Sequence, residues 1–547
     1  MPRRDDTVRH LCPTLRAVLC VLATAAGAIA DPSPQQRFPM DRQPDGTYRM
    51  DAARFEALRE RASVLMDGVP LPGEGEVTLH LRRMRVAADG AKLSIDGEVR
   101  PLAEVADHLQ IFRGTVVGDE DSHAFLAFSP EGSRGYVRRA GRTHHLRSAR
   151  AADAEPASSF LSLEGEGDLM GAIACGSGDI QQFLSIDPSS LTEPSISGME
   201  TAASTTTYEC EVGVETDFEF YEQFDDETDA TNYALTLMGA VSDIYLNDVN
   251  TIVTVAYLGI HTSSSDGWNK NDGTIDRLYA FRDAWKNGNA PVSADLYHFL
   301  SGVNMGGGVA WVNALCSQSY GFGVSANIDG GLTVPVTGTA PWDLVVVAHE
   351  MGHNFVSPHT HAYCPPVDEC APSAYWENCQ DEQICIPNGT IMSYCHLCPG
   401  GLSNIDLNFH ATVAAAIRAA VESSCLDPIV LEPELCVDQP DGVHVTVDPS
   451  VTVLGSVEFG LANCGTLTDP VDYTATKPGA ETWFSASPAT GTVGVSASTV
   501  AVNVDVTGLD YGLHTAVLHL ENDDDAGDFV DLPVSVMVLP PPFRPGD

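Results

Sequence analysis

Two histidines four residues apart on a helix share one face, so both imidazoles can reach a single metal ion. This chain has such a pair, His349 and His353, in the run Leu344-Val345-Val346-Val347-Ala348-His349-Glu350-Met351-Gly352-His353. Glu350 follows the first histidine, where its carboxylate can accept a proton from a metal-bound water. His359 supplies a third imidazole and completes an HExxHxxxxxH layout. Three neutral imidazoles leave the fourth position of a tetrahedral zinc ion open for water. Zinc lowers the pKa of that water and polarises a carbonyl, so the expected chemistry is hydrolysis by a zinc-activated water with Glu350 as general base. A histidine pair satisfied inside a core is the alternative, and the third histidine makes that coincidence roughly thirty-fold rarer.

The elements that must position these groups are legible around them. Glu209 to Asp217 alternates, with Cys210, Val212, Val214 and Thr216 on one face, as a strand does. Tyr233, Leu235, Leu237, Met238, Val241, Ile244 and Tyr245 recur at helical spacing, and Ile252 to Leu258 reads as a buried strand. Strand, helix, strand opens an α/β layer fold. Gly306 to Val312 predicts a further strand with a glycine-rich entry. Residues 31 to about 200 read as β-rich, with strands at 77–81 and 124–128. From residue 430 on, short alternating strands between Gly, Pro, Asp and Asn predict a small β-sandwich.

His-Glu-Met-Gly-His-Asn-Phe-Val-Ser-Pro-His (349–359) resembles the metzincin zinc metalloprotease consensus, most closely its adamalysin (reprolysin) branch. Thr390-Ile391-Met392-Ser393-Tyr394 is similar to the Met-turn of that family. The resemblance implies that Met392 is a hydrophobic floor under the ligands. It also implies that Tyr394 coordinates zinc or steadies the oxyanion; a packed tyrosine beside the turn is the alternative. Gly306 to Val312 resembles the edge strand that pairs with an extended substrate, which implies peptide as substrate. The family has Gly where this chain has Val356, at a position that calls for a left-handed backbone. The same resemblance implies that Cys316 pairs with Cys425. It further implies three bridges among the six cysteines from Cys364 to Cys398, in one of fifteen connectivities. Cys436 and Cys464 are further disulfide candidates.

Residues 31–205 resemble the propeptide of that branch and imply an intramolecular inhibitor. Ala174-Cys175-Gly176 looks like its cysteine switch, in which a thiolate replaces the catalytic water on zinc. A Cys175–Cys210 disulfide is the alternative, and cysteine parity favours it. The expected organisation is therefore multidomain. It comprises a signal peptide (1–30), a β-rich propeptide (31–205), an α/β metzincin catalytic domain (206–428), an all-β Ig-like sandwich (429–540) and a short tail (541–547).

Composition agrees with this and excludes other classes. Arg3, Arg4, Arg9 and Arg16 precede an apolar run and Ala28-Ile29-Ala30, a secretory signal pattern, so the chain is expected to be secreted. No stretch is long enough for a membrane span. The net charge is −46; 22 of the 29 Lys+Arg lie in residues 1–150, while residues 201–547 hold seven against 46 Asp+Glu. Phosphate needs a basic surface, so nucleic acid is not expected as a partner. The asymmetry suggests that an Arg-rich front segment docks on an acidic body, with simple solubility of an exported protein as the alternative. The acidic run Asp523 to Asp528 could hold calcium or form a solvated hairpin turn. The reading is an endopeptidase with one catalytic zinc ion, acting on proteins or peptides. A zinc-binding adhesion protein that has lost catalysis, with Val356 as the sign, and a zinc hydrolase of non-peptide substrates are the rivals.

Overall fold

The computed structural model describes residues 35–149, 157–162 and 206–540, except for 45, 60–62, 107, 141, 333–340, 377–378, 430–434, 440–441, 464–470, 495–497 and 524. The signal segment 1–30, Cys175, Cys464, the tail and most of the connection between 150 and 205 lie outside the described residues.

The centre of the molecule is an eight-stranded sheet. Its chain order begins, unexpectedly, in the N-terminal region with β1 (Ala87–Ile95) and β2 (Glu98–Pro101). That region continues with β3 (Gln110–Val116), β4 (Asp119–Phe128) and β5 (Arg134–Arg139), which belong to a separate ten-stranded sheet. Then follow β6 (Thr207–Thr216), α1 (Glu227–Val249), β7 (Thr251–Ile260), α2 (Thr274–Trp285), β8 (Leu296–Leu300), β9 (Gly308–Ala310) and β10 (Phe322–Ser325). The helix α3 (Trp342–Phe355) carries the histidine pair, and α4 (Ala411–Glu422) precedes β11 (Asp427–Ile429). The order across the sheet is β9-β10-β8-β6-β7-β1-β2, with β11 paired to β6. The strands β10, β8, β6, β7 and β1 run parallel, and β9 is antiparallel to β10 at the end of the sheet.

Local chemistry explains the long helix. Asp226 caps α1 by accepting hydrogen bonds from the N–H groups of Thr228 and Asp229, both at 2.9 Å. Glu227 and Asp229 add negative charge to the first turn, where the helix dipole favours it. Asn250 ends the helix in the left-handed conformation that asparagine tolerates.

The boundary drawn at residue 205 from the sequence does not separate two cores. Buried residues of the N-terminal region, among them Leu93, Ile111, Phe125 and Tyr136, share one hydrophobic cluster with Tyr233, Val241 and Val346. The expected docking of basic front on acidic body is present: Arg85 pairs with Glu209 at 2.6 Å and Arg134 with Asp229 at 2.9 Å. From residue 435 the chain forms a four-stranded and a five-stranded sheet around a core of its own, a β-sandwich. Asp523 follows the strand that ends at Asn522, and Asp525 to Asp528 open the other strand of the same hairpin.

Candidate active site

The α3 helix is buried along its whole length because it lies between the sheet and the loops that follow. This explains the apolar run that precedes the histidines. Its C-terminal carbonyls, which no helical N–H can satisfy, are taken up by the loop after β9. Asn313 N–H donates to His353 O at 2.9 Å, and Ala314 and Leu315 N–H donate to Asn354 O at 2.8 and 2.9 Å. The Asn354 amide donates in turn to the carbonyls of Trp311 (3.0 Å) and Phe322 (3.1 Å). Asn354 thus bolts the ligand-bearing turn to the sheet, a role its sequence context does not reveal.

His349, His353 and His359 converge: one nitrogen from each lies within 4.8 Å of the others. The Nδ1 of His349 donates to Ile391 O and that of His353 to Ser357 O, both at 2.7 Å. Each of these bonds fixes the tautomer and leaves a bare Nε2 lone pair. The Nε2 of His353 faces that of His359 at 3.2 Å. The His349 Nε2 is buried and has no hydrogen-bond partner. Burial also pushes the His349 imidazole well below its ordinary pKa, so it stays neutral. Neutral, buried, convergent imidazoles are the donor set zinc takes.

Glu350 is wholly buried. It occupies the space left by Gly308 of β9: a Cβ there would stand 2.4 Å from Glu350 Oε1. Gly352 does the same for Met392, since a Cβ would meet Met392 Sδ at 2.5 Å. Met392 is therefore packed directly against the helical turn that joins His349 and His353. Its carbonyl accepts from Thr360 N–H at 3.1 Å, tying the residue after His359 to the same turn. Tyr394 is buried, with its ring 4.6 Å from that of His359. His361 stacks on His359 at 5.1 Å. His396 joins Gly308, His349, Glu350, Ser393 and Tyr394 in lining a partly open pocket.

Val356 ends α3 at φ 157°, ψ −20°. The expected conflict is real: a β-branched residue holds a backbone that glycine favours, at a cost of about 1–3 kcal/mol. Val356 is also largely buried in the main core, which offsets part of that strain. We expect Val356→Ala to lose packing and keep the strain, whereas Val356→Gly loses packing and releases it. The Gly variant should melt above the Ala variant, the reverse of the usual order at a buried site; the usual order in thermal melts would show that no strain is stored.

Asp343, in the first turn of α3, accepts the hydroxyl proton of Tyr233 and, at 3.3 Å, the Asp329 N–H. Burial, then the charge of Asp329, pushes its pKa from 3.8 to about 7. A raised carboxyl pKa means that the fold favours the protonated form. The associated stability is complete below pH 3.8 and is lost as pH rises towards 7. Asp343→Asn should therefore flatten the pH dependence of unfolding and be the more stable protein at pH 8, by on the order of 1–3 kcal/mol. Parallel stability–pH curves for the two proteins would refute this.

The disulfides frame the site. Cys316 pairs with Cys425, as the resemblance implied, tying the loop after β9 to the end of α4. The six cysteines from Cys364 to Cys398 form the bridges 364–379, 370–395 and 385–398, and Cys395 follows Tyr394 directly. Cys436 is disulfide-bonded, with its partner outside the described residues. Cys210 is a free buried thiol, so the Cys175–Cys210 disulfide is absent. In β6 it points into the main core.

Residues 206–401 match the family described as metallo-peptidase family M12 (Reprolysin_5). The chain is a metalloendopeptidase. Members of that family use zinc, and the histidine triad is a group that could hold it. Its substrates are proteins or peptides. A solved structure, metalloproteinase-II from Bacteroides fragilis, aligns at 13% identity over 66% of this chain and 92% of that one, with a TM-score of 0.35, too low to argue from. No curated protein matches the chain. Among the described residues, no helix is long and apolar enough to cross a membrane.

Proposed function

We propose that this metalloendopeptidase is a secreted, zinc-dependent enzyme of the metzincin type, reprolysin-like, made as a precursor. The observation that carries the reading is the convergence of three buried imidazoles beside a buried carboxylate, next to the edge strand β9 of the sheet. The residues that would hold zinc are His349, His353 and His359. When bound, zinc would supply Lewis acidity, polarising the scissile carbonyl and acidifying water. Glu350 accepts the proton of the attacking water and delivers it to the leaving amine. Its burial beside Gly308 keeps that carboxylate in one place and away from bulk solvent. An extended peptide pairs with β9 through backbone hydrogen bonds, which tolerate varied sequence. Tyr394 steadies the developing oxyanion, and Met392 packs beneath the ligands. The N-terminal region keeps the precursor silent, with Cys175 as the thiol that would occupy the zinc. The C-terminal domain, read as Ig-like, supports the secreted enzyme or binds a surface.

The test is cleavage of a denatured protein by the processed enzyme. A zinc chelator should abolish cleavage, and stoichiometric zinc should restore it. Cleavage that survives full removal of the metal would sink the zinc mechanism.

A further inference from the structure

Helix α1 is buried on nearly every side, a pattern that requires cover on two faces. One face lies on the catalytic sheet. The other lies on the N-terminal sheet, where a Cβ at Gly239 would stand 3.1 Å from Ile111 Cδ1 and 3.5 Å from Phe125 Cζ. Ile111, Phe125 and Tyr136 are continuous with Ala234, Met238 and Val241 in one core.

Two carboxylates of α1 sit in this contact, and their charge partners come from the N-terminal sheet. The Asp243 side chain, 2% exposed, meets Arg113 and His123, each at 2.6 Å. Burial raises the Asp243 pKa, but these two partners outweigh it and hold the carboxyl below its ordinary value. Asp229 meets Arg134, whose guanidinium also covers the Tyr233 ring at 5.2 Å. At the edge of the catalytic sheet, β1 runs parallel to β7. Val255 N–H donates to Val86 O at 2.8 Å, and Asp96 N–H donates to Ile260 O at 3.0 Å.

We propose that the N-terminal domain, whose sheet extends to the strand Ala157–Ser162, is a permanent subunit of the processed enzyme. A cut between 163 and 205 then yields two chains that stay together through α1 and β7. Departure of the domain would expose the apolar outer face of α1 and open the β7 edge to unspecific pairing. A shared core of this kind belongs to obligate interfaces, which do not come apart at working concentration. Among the described residues no disulfide joins the two parts, so the association is non-covalent. Inhibition of the precursor is then relieved by cutting the connection, without loss of the domain.

The test uses the full chain carrying Glu350→Ala, so that self-digestion plays no part and the outcome does not depend on the protease reading. A recognition sequence for a site-specific protease is placed within 185–205, the chain is cut, and the products are run on native size exclusion. Both fragments are expected at the volume of the uncut chain, in low and in high salt. Elution of the N-terminal fragment by itself overturns the proposal, whether the catalytic fragment stays soluble or aggregates. In the same cut chain, Arg113→Ala with Arg134→Ala should weaken the association by about tenfold or more per pair. Unchanged affinity in that variant would overturn the role given to these ion pairs.

Discussion

Replacing Glu350 by Gln should lower peptide hydrolysis by about 10²–10⁴-fold, the range a positioned general base contributes. Zinc content should remain that of the wild type. The argument is one of shape against charge. Gln fills the pocket beside Gly308 as Glu does, and Glu350 is not among the convergent histidines. What Gln lacks is the basicity to take a proton from water. Because Glu350 is wholly buried, bulk solvent cannot easily replace it as proton acceptor. Metal analysis beside the activity assay separates the possibilities. Loss of zinc together with activity would make Glu350 a structural support of the site rather than its base.

Gly308→Ala is expected to produce the second large effect, a fall of roughly 100-fold in kcat/KM, the scale of a small misplacement at the reacting centre. The added methyl group would lie 2.4 Å from Glu350 Oε1 and 2.5 Å from its Cγ, so one of the two must move. Glu350 is anchored in a helix bolted to the sheet by Asn354. Its side chain is the softer element and leaves the position from which it serves. The same methyl group stands on β9, the strand proposed to hold the peptide. The global melting temperature should change little, because the clash falls on side-chain atoms of Glu350 rather than on backbone. Wild-type kinetics in this variant would show that Glu350 reaches its substrate by a route that does not need the space at Gly308.

Much of the site is legible without coordinates because its chemistry is encoded locally. His349 and His353 lie on one helix turn, and the helical period alone puts their rings on one face. Val356 is legible for the same reason. Its conflict is between one residue type and one backbone conformation, and the structure has it at φ 157°. The Met-turn could be located by its motif, but its purpose depends on Gly352. That residue sits 40 positions away in the chain and is the place where Met392 packs. The histidines near the site read differently in three dimensions. His361 stacks on His359 and His396 lines the pocket, although neither has ligand spacing. The part played by Asn354 was not legible at all, because its partners are backbone carbonyls supplied by distant strands.

The sequence by itself located the three histidines that converge, the glutamate buried beside them, the α/β character of the middle and the β-sandwich of the end. Each of these rests on a short-range pattern: a helical period, a strand alternation or a fixed motif. Only the tertiary structure decided the pairing of the six cysteines, since fifteen connectivities satisfy the same spacing. It alone decided that Cys210 is a free core thiol, because parity counts cysteines without placing them. It also decided that β1 and β2 complete the catalytic sheet. A strand pairs through backbone groups that every residue carries, so nothing in the side chains of Ala87–Ile95 names β7 as the partner. The continuous core across residue 205 follows from that pairing, which joins what composition alone divides.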